Sequence, residues 1–243
     1  MMRQTMAAAQ QQGGGAAIDF DVENDITWHS LFWAEGTAMT ALAYGDTDAV
    51  TTWPNETGET NATGSGGAYS ASDTLLNNKP AIVLDGTGWL ESNFVTDATA
   101  SCNVLVVLRY AAGHQSFIMD SYANANRYII RADADTTNKV RAQASAGGGV
   151  STTGTFPGGV AYGFRLESAI GGLDRFYVDG GLATSRTSGT NTFRGPSIGA
   201  TYSGARKMIG AIALLAVYEG DITADPAWSA MRSWVSYYYG VTI

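Results

Sequence analysis

Cysteine occurs once and histidine twice in this 243-residue chain, at Cys102, His29 and His114. One thiol cannot close a disulfide within the chain, so the fold must stand on its own core. One cysteine and two histidines also fall short of a structural zinc site, which draws four ligands of these types. Any bound metal would be calcium, held by carboxylates and carbonyls. Cys102 is followed by Asn103 and the apolar run Val104–Leu108. There it reads as a structural side chain, because a reactive thiol needs a base and a lowered pKa. Charge is scarce as well: 15% of residues are Asp, Glu, Lys or Arg, against roughly 25% in an average soluble domain. Bundles and coiled coils need charged outer faces and are disfavoured. Lysine is scarcest, with Lys79, Lys139 and Lys207 far apart in a chain of net charge −8. With no basic cluster to neutralise phosphates, nucleic acid is not an expected partner. No apolar run approaches the roughly 20 residues of a membrane-spanning helix; the run from 209 to 218 is half that. The first residues lack the apolar stretch of a signal peptide. The expectation is a chain made in a cytoplasm, with no membrane insertion.

What is abundant is glycine, 30 residues, and apolar side chains, 45% of the chain. That composition suits one turn-rich all-β domain, which commonly runs to about 200–250 residues. Residues 1–17 are a low-complexity arm of Ala, Gln and Gly, too poor in apolar surface to order itself. Residues 18–50 form a lead-in segment containing the aromatic, strand-like stretch Ile26–Trp33. Gly-, Asn- and Ser-rich loops then run to about Asn78. Beyond them short β-rich runs recur between turn residues: Ala81–Asp85, Trp89–Glu91, Asn103–Tyr110, Gln115–Met119, Tyr128–Ala132, Val140–Ala144, Val160–Leu166, Leu173–Val178, Leu182–Arg186 and Met208–Tyr218. Such closely spaced strands without intervening helices predict a two-sheet antiparallel sandwich over residues 51–243. One helix is predicted over 226–239, with Asp225 as N-cap, Pro226 in the first turn and Gly240 at the end. Trp228, Met231, Trp234, Val235 and Tyr238 make its apolar stripe.

Several stretches then resemble one fold family in the same order. Trp53-Pro54-Asn55-Glu56-Thr57-Gly58 and Asn61-Ala62-Thr63 are similar to a W-x-D-x-S-G and N-A-T loop. Asn77–Gly86 resembles an N-G-K-P…F-D-G strand, and Val104–Leu108 the buried strand after it. Tyr177-Val178-Asp179-Gly180, Ala216-Val217-Tyr218 and the Tyr239-Gly240-Val241 ending complete the likeness. The family is the concanavalin A-like lectin/glucanase fold, in its laminin-G-like branch. The resemblance implies an all-β jelly-roll of two antiparallel sheets, with one C-terminal helix and an extended N-terminal arm. Asn55 stands where the family has Asp, Thr57 where it has Ser, and Leu84 where it has Phe. An Asn can still form an Asx turn but brings no charge to calcium, so no cofactor is expected. The block with Trp28, Trp33 and Leu31–Gly36 resembles minor tail proteins of phages infecting actinobacteria. That likeness implies a virion protein at a tail tip, with Met1, Arg3, Gln10, Gln11 and Gln12 of the arm contacting other tail proteins, and it leaves a homo-oligomer open.

Sugar recognition needs aromatic faces beside hydrogen-bonding side chains. Trp89 after its glycine turn, Tyr122 with Asp120 and Asn124 beside it, and Tyr202 in a glycine-flanked loop are the candidates. Asn126 lies nearby in sequence. A glycoside hydrolase would need two positioned carboxylates. Asp19, Asp21 and Glu23 are the nearest match, since a period of two would put them on one face of a strand. The expected function is host-surface or glycan attachment without catalysis. The alternatives are a purely architectural or capsid-decorating protein, and a hydrolase using those three acids.

Overall fold

The computed structural model describes residues 18–111, 117–121, 128–133, 139–144, 150–151, 156–188 and 192–243. Along the chain run β1 (Ser30–Trp33), α1 (Thr37–Ala41), β2 (Ala49–Trp53), β3 (Ala62–Asp73), β4 (Lys79–Asp85), β5 (Leu90–Glu91), β6 (Cys102–Tyr110) and β7 (Phe117–Ser121). There follow β8 (Tyr128–Asp133), β9 (Lys139–Ala144), β10 (Val150–Ser151), β11 (Val160–Ile170), β12 (Leu173–Val178), β13 (Gly181–Thr187), β14 (Pro196–Ile198), β15 (Ile209–Glu219) and α2 (Trp228–Tyr239). Among the described residues every strand pairing is antiparallel, and the order is β10-β9-β8-β7-β14-β5-β3-β4-β15-β6-β11-β12-β13. This ribbon curls until β9 lies against β11 and β12, and β10 against β13. The result is the expected jelly-roll sandwich, with one hydrophobic core between its two layers.

The central strands are apolar because both of their faces are covered. Val104, Val106 and Leu108 of β6, with Ile212, Leu215 and Val217 of β15, point into the core between the layers. Leu105 and Val107, with Ala211, Ala213, Leu214 and Ala216, point the other way. There Val22, Ile26, Trp28 and α2 cover them. Trp234 of α2 is the hub of that cover, with ring centroids 5.8 Å from Phe20, 5.9 Å from Trp33 and 4.9 Å from Tyr238. Part of residues 18–50 belongs to the sheet itself: β1 pairs with β15, Ser30 opposite Val217 and Trp33 opposite Leu214.

Two expectations need correction. The glycine-rich stretch read as loops up to Asn78 contains β2 and the twelve-residue β3. Glycine is there because neighbouring backbones crowd β3, not because the chain turns. A Cβ on Gly67 would sit 1.9 Å from the Val83 carbonyl oxygen, and one on Gly66 1.5 Å from that of Val50. The C-terminal helix starts at Trp228 rather than at Pro226. Asp225 still organises the approach, accepting the Ala227 N–H at 2.8 Å. Gly240 ends the helix in the left-handed region, at φ 75°.

A buried ion cluster fastens the helix's first turn to β11 and β12. Glu167 is 3% exposed and accepts from Arg165, from Arg175 at 3.1 Å and from the Tyr177 hydroxyl at 3.3 Å. The Arg165 guanidinium lies 3.8 Å over the Tyr177 ring and 5.3 Å from that of Trp228. A buried carboxylate is tolerable only with such partners.

Candidate functional site

β5, β7 and the loop from β14 to β15 meet at one edge, where three of the five proposed sugar-binding residues come together. Ser197 of β14 pairs with Glu91 of β5 on one side and Asp120 of β7 on the other. Next to it the 199–208 loop closes on itself, with Thr201 N–H bonding Ala205 O and Gly204 N–H bonding Thr201 O. Asp120 is wholly buried, and its carboxylate accepts the Ser121 N–H at 2.9 Å and the Tyr202 N–H at 3.2 Å. Its place is behind the surface, fixing the loop that carries Tyr202. Trp89 is half-buried against that loop: a Cβ on Gly204, at φ +72°, would come within 2.7 Å of the indole. Lys207 reaches back, donates to the Thr87 carbonyl oxygen and holds its ammonium 4.7 Å from the Trp89 ring centroid. Thr87 is itself held by Asp85, whose carboxyl its hydroxyl and N–H keep below the usual carboxylate range. The edge is therefore a ridge of Trp89, Lys207, Gly204 and Tyr202, preset by backbone bonds.

Tyr122, Asn124 and Asn126, and the arm residues Met1, Arg3, Gln10, Gln11 and Gln12, lie outside the described residues. Asp19, Asp21 and Glu23 do not share a strand face. The chain turns there, Asp21 accepting from the Glu23 N–H and the Asn24 amide. Glu23 accepts both the N–H and the hydroxyl of Thr37 at the start of α1. The alternation is in the sequence, but the chain turns there, Asp21 bonding within the turn and Glu23 reaching Thr37. Asn55 forms the Asx turn, its carbonyl oxygen accepting from Thr57 N–H at 3.2 Å and from Leu31 N–H at 3.1 Å. Among the described residues no three His, Cys, Asp or Glu side chains are grouped so as to hold a metal ion. Burial pushes the Cys102 thiol up to about 12, far from nucleophilic chemistry near neutral pH.

Sequence reasoning missed a cleft of about 370 Å³ lined by Thr27, Trp28, His29, Thr57, Gly58, Glu59 and Glu219. Its walls come from the segment before β1, the loop after β2 and the last residue of β15. No local pattern links pieces so far apart in sequence.

No family profile and no curated protein matches the chain. Solved structures do. Domain 4 of AbnA, an extracellular arabinanase of Geobacillus stearothermophilus, in complex with arabinotriose, is 14% identical with a TM-score of 0.50, over 72% of this chain and 94% of that one. Trypanosoma rangeli sialidase, in complex with sialic acid, is 10% identical with a TM-score of 0.56. That match covers 85% of this chain but 32% of the sialidase, so the chain spans about a third of that enzyme. Botulinum neurotoxin type C, described as needing two ganglioside molecules to get into cells, is 10% identical with a TM-score of 0.50, over 80% of this chain and 50% of that one. At such identities the likeness shows a shared β-sandwich fold and nothing finer.

Proposed function

We propose that this chain is a non-enzymatic, lectin-like module of a phage tail tip that attaches to host-surface glycan through the Trp89–Tyr202 ridge. The observation that carries the reading is the ridge itself. An indole and a phenol stand on neighbouring loops held by a buried carboxylate and a close glycine contact. Side chains fixed in advance lose little entropy when they bind, which favours a weak, repeated contact with sugar. The solved structures of the same fold include complexes with arabinotriose and with sialic acid. The virion placement draws on the Trp28–Gly36 likeness to tail proteins, with residues 1–17 as the docking arm. Partners are then neighbouring tail proteins and cell-wall glycan.

One observation favours a purely architectural role instead: Lys207 lies across a face of the Trp89 indole, where a sugar ring would stack. A titration of the full chain with host cell-wall fragments and soluble oligosaccharides separates the two. The attachment reading expects Trp89→Ala and Tyr202→Ala each to weaken binding by about tenfold or more, as aromatic anchors do. It expects removal of residues 1–17 to abolish incorporation into particles while leaving that binding intact. Absence of binding at millimolar sugar with an intact fold leaves the architectural role.

A further inference from the structure

The cleft beside His29 has a composition the ridge lacks. It is lined by two carboxylates, Glu59 and Glu219, and by no lysine or arginine. Each carboxylate is fixed through one oxygen: Glu59 Oε2 accepts the Val95 N–H at 2.8 Å, and Glu219 Oε1 the Thr99 N–H at 2.9 Å. Those bonds hold each carboxylate in place, and each leaves the other carboxylate oxygen available as an acceptor. Beside Glu219 in the same lining stands His29, whose side chain is 10% exposed and whose ring lies 5.1 Å from that of Phe94. Its backbone is pinned, His29 N–H to Val217 O at 2.9 Å and His29 O from the Thr57 hydroxyl at 3.0 Å. Neither ring nitrogen makes a hydrogen bond. Nε2 is buried without a partner, and Nδ1 lies 3.6 Å from Glu219 Oε1, too far for one. Nδ1 thus stands on the side of the ring that meets the cleft carboxylate. On a nine-tenths-buried imidazole, an Nδ1 with no hydrogen bond beside a cleft is costly unless a group in the cleft completes it.

We propose that this cleft binds an amino sugar, with the ammonium group between Glu59 and Glu219 and a ring hydroxyl on His29 Nδ1. The lining offers acceptors and negative charge, so it selects a ligand rich in donors and carrying positive charge. Trp28 supplies an apolar wall, already fixed by its Nε1–H bond to Val22 O at 2.6 Å. The volume is near the small end of ligand pockets, which run from about 300 to 1,000 Å³. It is large enough for a single sugar ring. The choice of a sugar over another ammonium compound rests on the glycan-attachment reading, whereas the choice of a cation rests on the lining alone.

The test is a calorimetric titration of the full chain at pH 7 and low salt with D-glucosamine, N-acetyl-D-glucosamine and D-glucose. Glucosamine is expected to bind at least tenfold more tightly than the two uncharged sugars and to weaken as salt rises. Glu219→Gln and Glu59→Gln, which keep an acceptor for the Thr99 and Val95 N–H groups, are each expected to cost about tenfold, the usual worth of one charge-assisted hydrogen bond. Equal binding of all three sugars, or binding indifferent to both substitutions, overturns the proposal. A parallel titration with N-acetyl-lysine methylamide addresses the other source of an ammonium group. If that compound binds with the same dependence on Glu59 and Glu219 while glucosamine does not, the site takes lysine side chains and the amino-sugar assignment falls. Trp89→Ala is expected to leave glucosamine binding unchanged. Failure of the ridge and failure of the cleft are thereby read separately.

Discussion

The strands at the centre of the sheet and those at its end are made by the same pairing and carry different burdens. β6 and β15 are buried along almost their whole length, with one face on the inner core and the other under α2 and residues 22–28. β9 alternates instead, with Val140, Ala142 and Ala144 inward and the residues between them half-exposed, and β13 is largely exposed. A strand covered on both faces cannot give up a side chain without opening a cavity or a hole in the cover. A strand wet on one face can vary there freely. Stability is therefore concentrated in the helix-covered half.

The sharpest way to break that contrast is to cut one large side chain from each region. Trp234→Ala, at the hub of the helix cover, is expected to lose about 3–5 kcal/mol of unfolding free energy, as large-to-small core changes do. Leu182→Ala on β13, where the side chain is 57% exposed, is expected to stay within about 0.5 kcal/mol of the parent. Denaturant midpoints measured at unchanged slope decide both. Equal losses would show that the helix cover carries no special share of the stability.

Next in size is the cluster that ties α2 to β11 and β12. Arg165→Ala leaves Glu167 buried with Arg175 and Tyr177 as its remaining partners. The expected loss is about 3 kcal/mol, the low end for breaking a buried pair, measured by the same unfolding experiment. A negligible loss would mean that Arg175 alone satisfies Glu167.

The smallest expected effect sharpens the comparison at the helix's far end. Burial pushes the Glu35 carboxyl above its usual value, opposed by Lys79, and the Tyr238 hydroxyl donates to it. A carboxyl raised on folding adds stability below its unfolded-state pKa, and that contribution is lost as pH rises through the raised folded value. The parent should therefore gain on Glu35→Gln as the pH falls from 7 to 4, by roughly a few tenths of a kcal/mol for a group only partly buried. A gap between parent and variant that does not change with pH would remove Glu35 from the account.

The parts of this fold that sequence reveals are those where one residue type serves one purpose. Val104–Leu108 and the run from Met208 to Tyr218 are apolar because both faces are covered, and both read as buried strands. Trp228, Met231, Trp234 and Val235 repeat at helical spacing and are buried on one side of α2. The glycines of β3 were misleading because glycine serves turns and close backbone contacts alike, and only the positions of β2 and β4 distinguish them. Asp19, Asp21 and Glu23 show a genuine alternation, yet Asp21 and Glu23 take up backbone N–H groups instead, and no sequence pattern forbids it. The ridge was partly legible, since Trp89 follows a glycine turn and Tyr202 sits between Gly199 and Gly204. The role of Asp120 was not, because polarity suggested a ligand where burial assigns a brace. The cleft gave no signal: its parts, residues 27–29, 57–59 and 219, are unremarkable until the sheet assembles them.

That assembly has a direction in time. β15, which β1, β4 and β6 all use as a neighbour, is the last of the described strands to leave the ribosome. Until it arrives those three hold open edges in the middle of the future sheet, among the most apolar segments of the chain. Synthesis proceeds at about 5–20 residues per second, so the nascent chain carries these unpaired edges for many seconds. Folding should then be late and abrupt, governed by the capture of one strand by partners up to 187 residues upstream (Ser30 with Val217).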